Sequence, residues 1–346
     1  MVYFDDLAVV VAMFFDEETD EMLQLLTHSH HVTRPYQQHF VTENGSNRVT
    51  LINFQLKFAG IGRECFRFSS VQVLSLLQIL ELPEQFSLNG YRTTSIEAIC
   101  VTLHRLSSQC RLVDLSFIYD LRPQFISQIV NGFMVYIFRR YGDIVRSFVT
   151  SWSTDRIMLE VYAEKIRRRG SPIANCVGFV DGTHVPVARP KRGQRAWYCG
   201  RHRCHCFKST AIQYPNGLIS AFGPFDGNTH DSTAAQIMNL DGLVARHYSF
   251  PQVSYCLFGD SGYGISPSIL TPYRRGPGQT AEEAEWNRIM SSLRISVEWG
   301  IGSIKRLWKV LSNKNCMRTL QTPVGIYWIN AVLLTNLHTC MNGSQV

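Results

Sequence analysis

Apolar residues recur at every third or fourth position between about residues 70 and 169, which predicts that this part of the chain is helical. One apolar stripe runs over 71–80. A second stripe over 96–106 follows the polar pair Thr94-Ser95, which is typical of a helix start. From Gly170 onward the pattern changes to short apolar runs bounded by turn residues, as in strands. The chain therefore divides into a helical half and a half that contains a sheet.

Two helices separated by a tight break are predicted within the helical half. The first covers 112–119, and the second begins after Leu121-Arg122-Pro123 with an apolar side along 125–137. The polar residues on its other side are Gln124, Ser127, Gln128 and Asn131. This arrangement fits a helix-turn-helix whose second helix reads DNA. It also fits a plain helical bundle, which we favour because the second helix has no Lys or Arg before Arg139.

Strands and helices are both predicted in the second half. Strands are expected over 177–187 with an interruption at Asp181-Gly182, on either side of the turn Tyr214-Pro215-Asn216-Gly217, and over 252–258. Helices are expected over 232–245 and 280–310. This order predicts an α/β or α+β fold in which a mixed sheet is flanked by helices.

Three regions follow from these patterns. They are an N-terminal segment of unclear role over 1–65, a helical region over 66–170 and a sheet domain over 171–340. In the first region, the apolar run Leu7–Phe15 follows Asp5 and Asp6 without a basic residue, which argues against a signal peptide. The run is also too short to cross a membrane, so a buried strand or helix is expected. No membrane-spanning segment is expected elsewhere.

Charge is distributed unevenly between the two halves. The net charge is +7, and residues 171–346 carry 17 Lys or Arg against 9 Asp or Glu, whereas residues 1–170 carry 17 against 18. Between Gly182 and Lys208 there are seven basic residues and no acidic one. A basic surface of this kind suits a polyanion such as DNA. An ordinary solvated basic face explains the same counts about as well.

Three carboxylates in the second half have the contexts of a metal site. Asp181 and Asp260 each follow an apolar run that predicts a buried strand, and Glu298 lies in a stretch of helical period. If the two strands are neighbours, the two aspartates converge and a packed helix brings the glutamate to them. Hard divalent cations bind carboxylate oxygens, and a two-metal site for phosphoryl transfer needs several of them.

Other residues near this trio have two interpretations each. Asp231 is a further ligand, a group that supports the ligands from beside the site or, as we favour, a helix N-cap. His230 orients a carboxylate, contacts a phosphate or belongs only to its loop. Arg294 lies four residues before Glu298, so it contacts a phosphate or forms an ion pair within the helix. Lys305, on the same helix face, and Lys208 are predicted phosphate contacts. Trp299 is expected in the core.

The run from Cys199 to Cys206 invites a zinc interpretation that its spacing does not support. It contains Cys199, His202, Cys204, His205 and Cys206, but a second pair of ligands about a dozen residues away is missing. We therefore assign it to a basic hairpin. The ten cysteines of the chain are scattered, which is typical of reduced thiols in an intracellular protein.

The chain resembles PIF/Harbinger-type transposases, which carry the DDE superfamily-4 endonuclease domain, from about residue 66 to 340. The order of its motifs and the interval between the acidic residues agree with that family. The matching pieces are Val180-Asp181-Gly182-Thr183-His184-Val185-Pro186, Tyr198-x-Gly200, Phe207-Lys208, Pro215-Asn216-Gly217, Gly227-x2-His230-Asp231-Ser232, Gly259-Asp260-Ser261-Gly262-Tyr263, Leu270-Thr271-Pro272-Tyr273 and Arg294-x3-Glu298-x3-Gly302-x2-Lys305.

The resemblance implies an RNase H-like fold with a catalytic and metal-binding triad at Asp181, Asp260 and Glu298. It implies Mg²⁺ or Mn²⁺ as cofactor, with two ions, and cleavage and joining of DNA strands at terminal inverted repeats and target DNA. It further implies a nuclear protein that forms a homo-oligomer on DNA with a Myb/SANT-like partner and no membrane. Domesticated members of the family are host proteins, so a catalytically silent nuclear factor that binds DNA or protein is the alternative.

Overall fold

The computed structural model describes residues 48–58, 60–88 and 90–343. The predicted element at Leu7–Phe15 lies outside the described residues. The helical region begins with short helices and continues with longer ones. Its helices are α1 (Leu51–Phe58), α2 (Gly62–Phe66), α3 (Ser70–Ile79), α4 (Ser95–Ser107), α5 (Leu112–Tyr119), α6 (Pro123–Arg146), α7 (Ser151–Thr154) and α8 (Arg156–Arg168). The prediction of helices in this region is therefore correct for most of its length.

A β-hairpin interrupts the helical region, which sequence reasoning missed. Strands β1 (Gln85–Leu88) and β2 (Tyr91–Thr94) pair antiparallel, with Gln85 opposite Thr94. Each strand has only four residues, so its alternation of buried and exposed positions is too short to stand out. The Asn-Gly pair at positions 89 and 90 of the sequence is the signal that predicts such a hairpin. The hairpin ends at Thr94, whose side chain caps α4.

Helix α6 occupies the centre of the helical region and packs against α4, α13 (Val324–Asn342) and strand β6 (Ile219–Phe225). The break before it at residues 120–122 agrees with the predicted pair of helices. Asn131, predicted to face outward, donates to the Gln321 carbonyl (3.1 Å) and accepts from the Tyr327 hydroxyl (2.9 Å). Asn131, one of the four polar residues predicted to face outward, thus forms hydrogen bonds within the protein. DNA reading by α6 stays a prediction.

The sheet has six strands and both parallel and antiparallel pairs. Its strands are β3 (Cys176–Pro186), β4 (Tyr198–Cys199), β5 (Cys204–Gln213), β6, β9 (Cys256–Phe258) and β10 (Ile269–Leu270), and a separate small hairpin comprises β7 (Ser249–Phe250) and β8 (Val253–Ser254). The strand order is β10-β9-β3-β5-β4, with β6 also paired to β5. β9 and β10 run parallel to β3, whereas β5 is antiparallel to it. The predicted mixed sheet is confirmed.

Strand β3 continues through Asp181-Gly182, so the predicted interruption is wrong. Asp181 pairs with Ala211 and Gly182 with Thr210 in an unbroken antiparallel ladder with β5. The backbone hydrogen bonds of a central strand outweigh the weak preference of an Asp-Gly pair for a turn. The hairpin predicted at Tyr214–Gly217 is present, and Gly217 has the positive φ of 85° that its turn requires.

Helices cover both faces of the sheet. The second half contributes α9 (Gln194–Trp197), α10 (Asp231–Ile237), α11 (Leu240–Tyr248), α12 (Ala281–Leu307) and α13, and a 3₁₀ turn covers Lys309–Ser312. The single helix predicted over 232–245 is two helices, because Asn239 adopts a left-handed conformation (φ 48°) between them. The long helix predicted over 280–310 is confirmed as α12.

Two apolar cores lie on opposite faces of the sheet. Phe179 of β3 belongs to a core shared with α12 and α13, and its neighbour Val180 belongs to a second core with α8 and α11. The first core also contains side chains of α1 to α6, so the helical region packs directly on the sheet domain. The boundary predicted at residue 170 stays a prediction. Within the described residues, no helix is long and apolar enough to cross a bilayer.

Candidate functional site

Asp181 and Asp260 meet at one edge of the sheet because β3 and β9 are parallel neighbours. Phe179 lies opposite Phe258 in the register, and each aspartate follows two residues later. The Asp181 carboxylate accepts from the Gly182 amide (2.9 Å), and the Asp260 carboxylate accepts from the Gly262 amide (2.9 Å). The structure therefore places these two carboxylates close enough to interact electrostatically, as the sequence predicted.

Helix α12 brings Glu298 to the same region through Arg294. One guanidinium nitrogen of Arg294 lies 3.3 Å from Asp181 Oδ2, and the other lies 2.8 Å from Glu298 Oε1. The interpretation of Arg294 as an i,i+4 ion-pair partner of Glu298 thus agrees with the structure. Within the described part of the chain, the oxygens of Asp181, Asp260 and Glu298 do not all lie within 4.8 Å of one another. Arg294 separates two of the three carboxylates.

Asp231 is a fourth carboxylate of this site, and its predicted role as a helix N-cap is wrong. The N-cap of α10 is His230, whose side chain makes no capping hydrogen bond. Asp231 is the first residue of the helix, and its Oδ1 lies 2.9 Å from Lys208 Nζ. Gly182 permits this approach, because a Cβ at that position would collide with the Asp231 carboxylate. Asp231 also lies beside Gly262 of the Asp260 loop.

Burial and like charge together perturb the pKa of Asp181. Its pKa is raised from 3.8 to about 6, chiefly by burial; Arg294 opposes the increase, and the carboxylates of Asp260 and Asp231 add to it. The buried Tyr263 has a pKa well above its ordinary value because of burial and the same three aspartates. Its hydroxyl therefore remains protonated and can donate a hydrogen bond. Sequence reasoning did not select Tyr263, although it ends the Gly259-Asp260-Ser261-Gly262-Tyr263 motif.

The raised pKa of Asp181 predicts how stability depends on pH. Between pH 3.8 and about 6 the folded protein retains a proton on Asp181 that the unfolded chain has lost. The resulting stabilisation of the folded state is complete below pH 3.8 and disappears as pH rises through 6. We expect the free energy of unfolding of the wild type, relative to that of Asp181→Asn, to fall by up to about 3 kcal/mol between pH 4 and pH 7. Urea unfolding of both proteins in a chelating buffer measures this difference. A difference that is constant with pH would contradict the perturbed pKa.

Lys208 and Lys305 are used inside the protein, which corrects their prediction as phosphate contacts. Lys208 is only 3% exposed, and besides Asp231 its ammonium group donates to the Thr229 carbonyl (2.9 Å). Lys305 donates to the Thr183 hydroxyl (2.8 Å) and the His184 carbonyl (2.9 Å), and burial lowers its pKa. These contacts join α10 to β5 and α12 to β3.

The other six basic residues between 182 and 208 are exposed. They are Arg189, Lys191, Arg192, Arg195, Arg201 and Arg203. Trp299 is also exposed (62%), because it points away from the core on α12 directly after Glu298, so its predicted core position is wrong. His230 is exposed and starts α10 through its backbone. Its predicted role of orienting a carboxylate stays a prediction.

Comparisons with known proteins identify one family model and one relative. Residues 180–336 match the family model described as DDE superfamily endonuclease, a stretch that contains Asp181, Asp260 and Glu298. A relative named Protein ALP1-like, from Arabidopsis thaliana, is 21% identical over 243 residues, which are 66% of this chain and 57% of that protein. The chain thus spans little more than half the length of this relative. No solved structure matches the chain.

Proposed function

We propose that this chain is a metal-dependent DNA endonuclease and transposase. The premise is that residues 180–336 form a DDE superfamily endonuclease domain and that the chain is of the Harbinger-type DDE nuclease family. Its reaction would cleave and join DNA strands at transposon ends. The observation that carries the proposal is the meeting of Asp181 and Asp260 at one sheet edge, with Arg294 joining Glu298 of α12 to Asp181. The mixed sheet and its helices support an RNase H-like fold.

The residues of the site fit divalent cations. Burial, with the nearby carboxylates of Asp260 and Asp231, raises the pKa of Asp181 to about 6, and a bound cation would favour its ionised form. We propose Asp181, Asp260 and Glu298 as ligands of Mg²⁺ or Mn²⁺, with two ions, and Asp231 as a further oxygen close by. Bound metal would supply activation of a water or 3′-hydroxyl and stabilisation of the leaving oxygen.

The chain's own residues would position the substrate and the ligands. Tyr263, held protonated next to the aspartates, can donate to a ligand oxygen or to the scissile phosphate. Arg294 holds Asp181 and Glu298 in place through its two ion pairs. If a bound cation replaced it as the partner of these carboxylates, its guanidinium could contact a phosphate instead. Lys208 holds the carboxylate of Asp231, and Lys305 holds the segment that follows Asp181 through Thr183 and His184.

Exposed basic and aromatic residues of the sheet domain support DNA as the substrate. The six exposed basic residues between 182 and 208 provide phosphate contacts, and the exposed Trp299 beside Glu298 provides a surface on which an unpaired base can stack. Terminal inverted repeats and target DNA are the proposed substrates. A nuclear location, a homo-oligomer on DNA and a Myb/SANT-like partner belong to the same proposal.

A nicking assay tests the proposed activity. We expect the purified chain to convert supercoiled plasmid to the open-circular form in Mg²⁺ or Mn²⁺ and to leave it intact in EDTA, because the carboxylates alone cannot activate a nucleophile. Plasmids with and without terminal repeats of the element would measure the sequence preference. Equal conversion with metal and with EDTA would contradict a metal-dependent reaction.

A catalytically silent DNA- or protein-binding factor is the second candidate. The observation that favours it is Arg294, which forms ion pairs with both Asp181 and Glu298. If this ion pair persists in the presence of Mg²⁺, the protein would bind DNA through its basic surface and leave the strands intact. DNA retained in a gel-shift assay without nicking at any metal concentration would favour this alternative.

A further inference from the structure

Three potential metal ligands outside the acidic site lie close together. They are His184 of β3, Cys199 of β4 and His202 of the turn between β4 and β5. One ligand atom from each lies within 4.8 Å of the other two, and no other group of His, Cys, Asp or Glu meets this condition within residues 48–58, 60–88 and 90–343. His184 Nε2 is 3.8 Å from Cys199 Sγ, and the two histidine rings are 4.6 Å apart.

The separation of these atoms matches a tetrahedral transition-metal site. Zinc binds histidine nitrogen at about 2.0–2.1 Å and cysteine sulfur at about 2.3 Å, so tetrahedral geometry places N and S about 3.6 Å apart. The observed 3.8 Å between His184 and Cys199 is close to this value. Imidazole and thiolate are preferred by Zn²⁺, whereas Mg²⁺ requires oxygen ligands. The cluster therefore differs in chemistry from the carboxylate site.

The strand pairing explains why the three ligands are neighbours and why their spacing in the sequence does not indicate it. β5 pairs with β3 and with β4, and Cys199 lies opposite Cys204 at the end of the hairpin. His184 is 15 residues before Cys199 in the chain, and the pairing of β3 and β5 across the sheet brings it into the cluster. His184 and Asp181 are three residues apart on one strand, so their side chains leave opposite faces of the sheet.

We propose that His184, Cys199 and His202 bind a zinc ion, with a water at the fourth position. Cys199 is buried and His184 is half-buried, so two ligands are held by the fold. His202 is exposed in the turn and closes the site from solvent. The zinc would cross-link the turn to β3 and thereby fix the exposed Arg201 and Arg203 that flank His202.

The chain offers a matched control for this site. His205 lies on the same hairpin, and its ring packs against Tyr198 with the ring centroids 5.4 Å apart, outside the cluster. His202 is exposed, so its replacement by alanine leaves the apolar core unchanged. Comparison of His202→Ala with His205→Ala therefore distinguishes the loss of a metal ligand from the loss of a histidine that does not bind the metal.

Metal analysis of the full-length chain without an affinity tag tests the proposal. We expect about one zinc ion per chain in the reduced wild type and in His205→Ala, and loss of this zinc in His202→Ala and Cys199→Ser. Replacement of zinc by Co²⁺ should give a thiolate-to-cobalt absorption band in the wild type that Cys199→Ser lacks. Thermal unfolding of His202→Ala checks that the variant is folded.

Three results would overturn the zinc site. They are a wild type without stoichiometric zinc after reconstitution, a His202→Ala variant that retains the wild-type amount, and a Cys199–Cys204 disulfide in the protein purified with reductant. Asp260→Asn separates this proposal from the nuclease proposal. It should keep the zinc, because Asp260 is not a member of the cluster, whether or not the chain cleaves DNA.

Discussion

Replacement of Asp231 by asparagine is expected to destabilise the protein by about 3 kcal/mol, because it leaves the buried ammonium group of Lys208 without its counter-charge. The Lys208 side chain is 4% exposed and the Asp231 side chain 21%, and the two groups are 2.9 Å apart. The value lies at the lower end of the range for broken buried pairs, since the change also removes repulsion between Asp231 and the carboxylate of Asp181. Urea unfolding at neutral pH in a chelating buffer measures it.

A double substitution distinguishes the ion pair from other effects of Asp231. Asp231→Asn combined with Lys208→Met removes both charges and fills the lysine site with an apolar chain of similar length, so it should be more stable than Asp231→Asn alone. Asp226→Asn, on the exposed loop before α10, is the matched control and should change stability by less than about 0.5 kcal/mol. An Asp231→Asn variant as stable as this control would contradict the structural role of the pair.

The sequence predicted the parts of the fold that depend on repeated local patterns. Helix α12 was recognisable because 27 residues of helical period follow the capping residue Thr280. The hairpin around Gly217 was recognisable because its turn residues have few other conformations. Asp181 and Asp260 were identified because each follows an apolar strand, and parallel pairing then brings the two to one edge. These signals lie within single segments of the chain.

The remaining parts of the site depend on contacts between distant segments. The sequence predicts a phosphate contact for Lys208, because nothing in β5 indicates that α10 covers it with Asp231. His184 did not appear with Cys199 and His202 because the pairing of β3 and β5 brings them together, not their spacing in the sequence. Trp299 appeared to be a core residue from its size alone, although its position after Glu298 on α12 faces solvent. In each case a tertiary contact decides the environment of the side chain.

Replacement of Asp260 by asparagine is expected to lower metal-dependent nicking by about 10³-fold or more, the largest effect on activity that the proposed site allows. Asparagine retains an oxygen that can accept from the Gly262 amide, so the loop is expected to keep its conformation. The substitution removes one of the negative charges that would bind the metal cations despite the positive charge of Arg294. The rate of plasmid nicking in Mg²⁺, compared with the wild type at equal concentration, measures the loss.

Two controls make the Asp260 result specific. Asp226→Asn changes an exposed carboxylate outside the site and should nick at the wild-type rate. The thermal midpoint of Asp260→Asn in EDTA should not fall below that of the wild type, since the change reduces repulsion with Asp181. Nicking by Asp260→Asn within about threefold of the wild-type rate would show that Asp260 is not a catalytic residue, because loss of a catalytic group lowers the rate far more.

Calorimetric titration with Mn²⁺ tests most directly whether the carboxylates form one metal centre. At pH 7.5, with the His184 cluster loaded with zinc beforehand, the wild type should bind Mn²⁺ and Asp260→Asn should bind it at least about tenfold more weakly. At pH 5, below the raised pKa of Asp181, binding by the wild type should weaken by about tenfold or more, because a proton competes for that carboxylate. Equal Mn²⁺ binding by the two proteins at pH 7.5, or no binding by either, would contradict a metal centre at Asp181, Asp260 and Glu298.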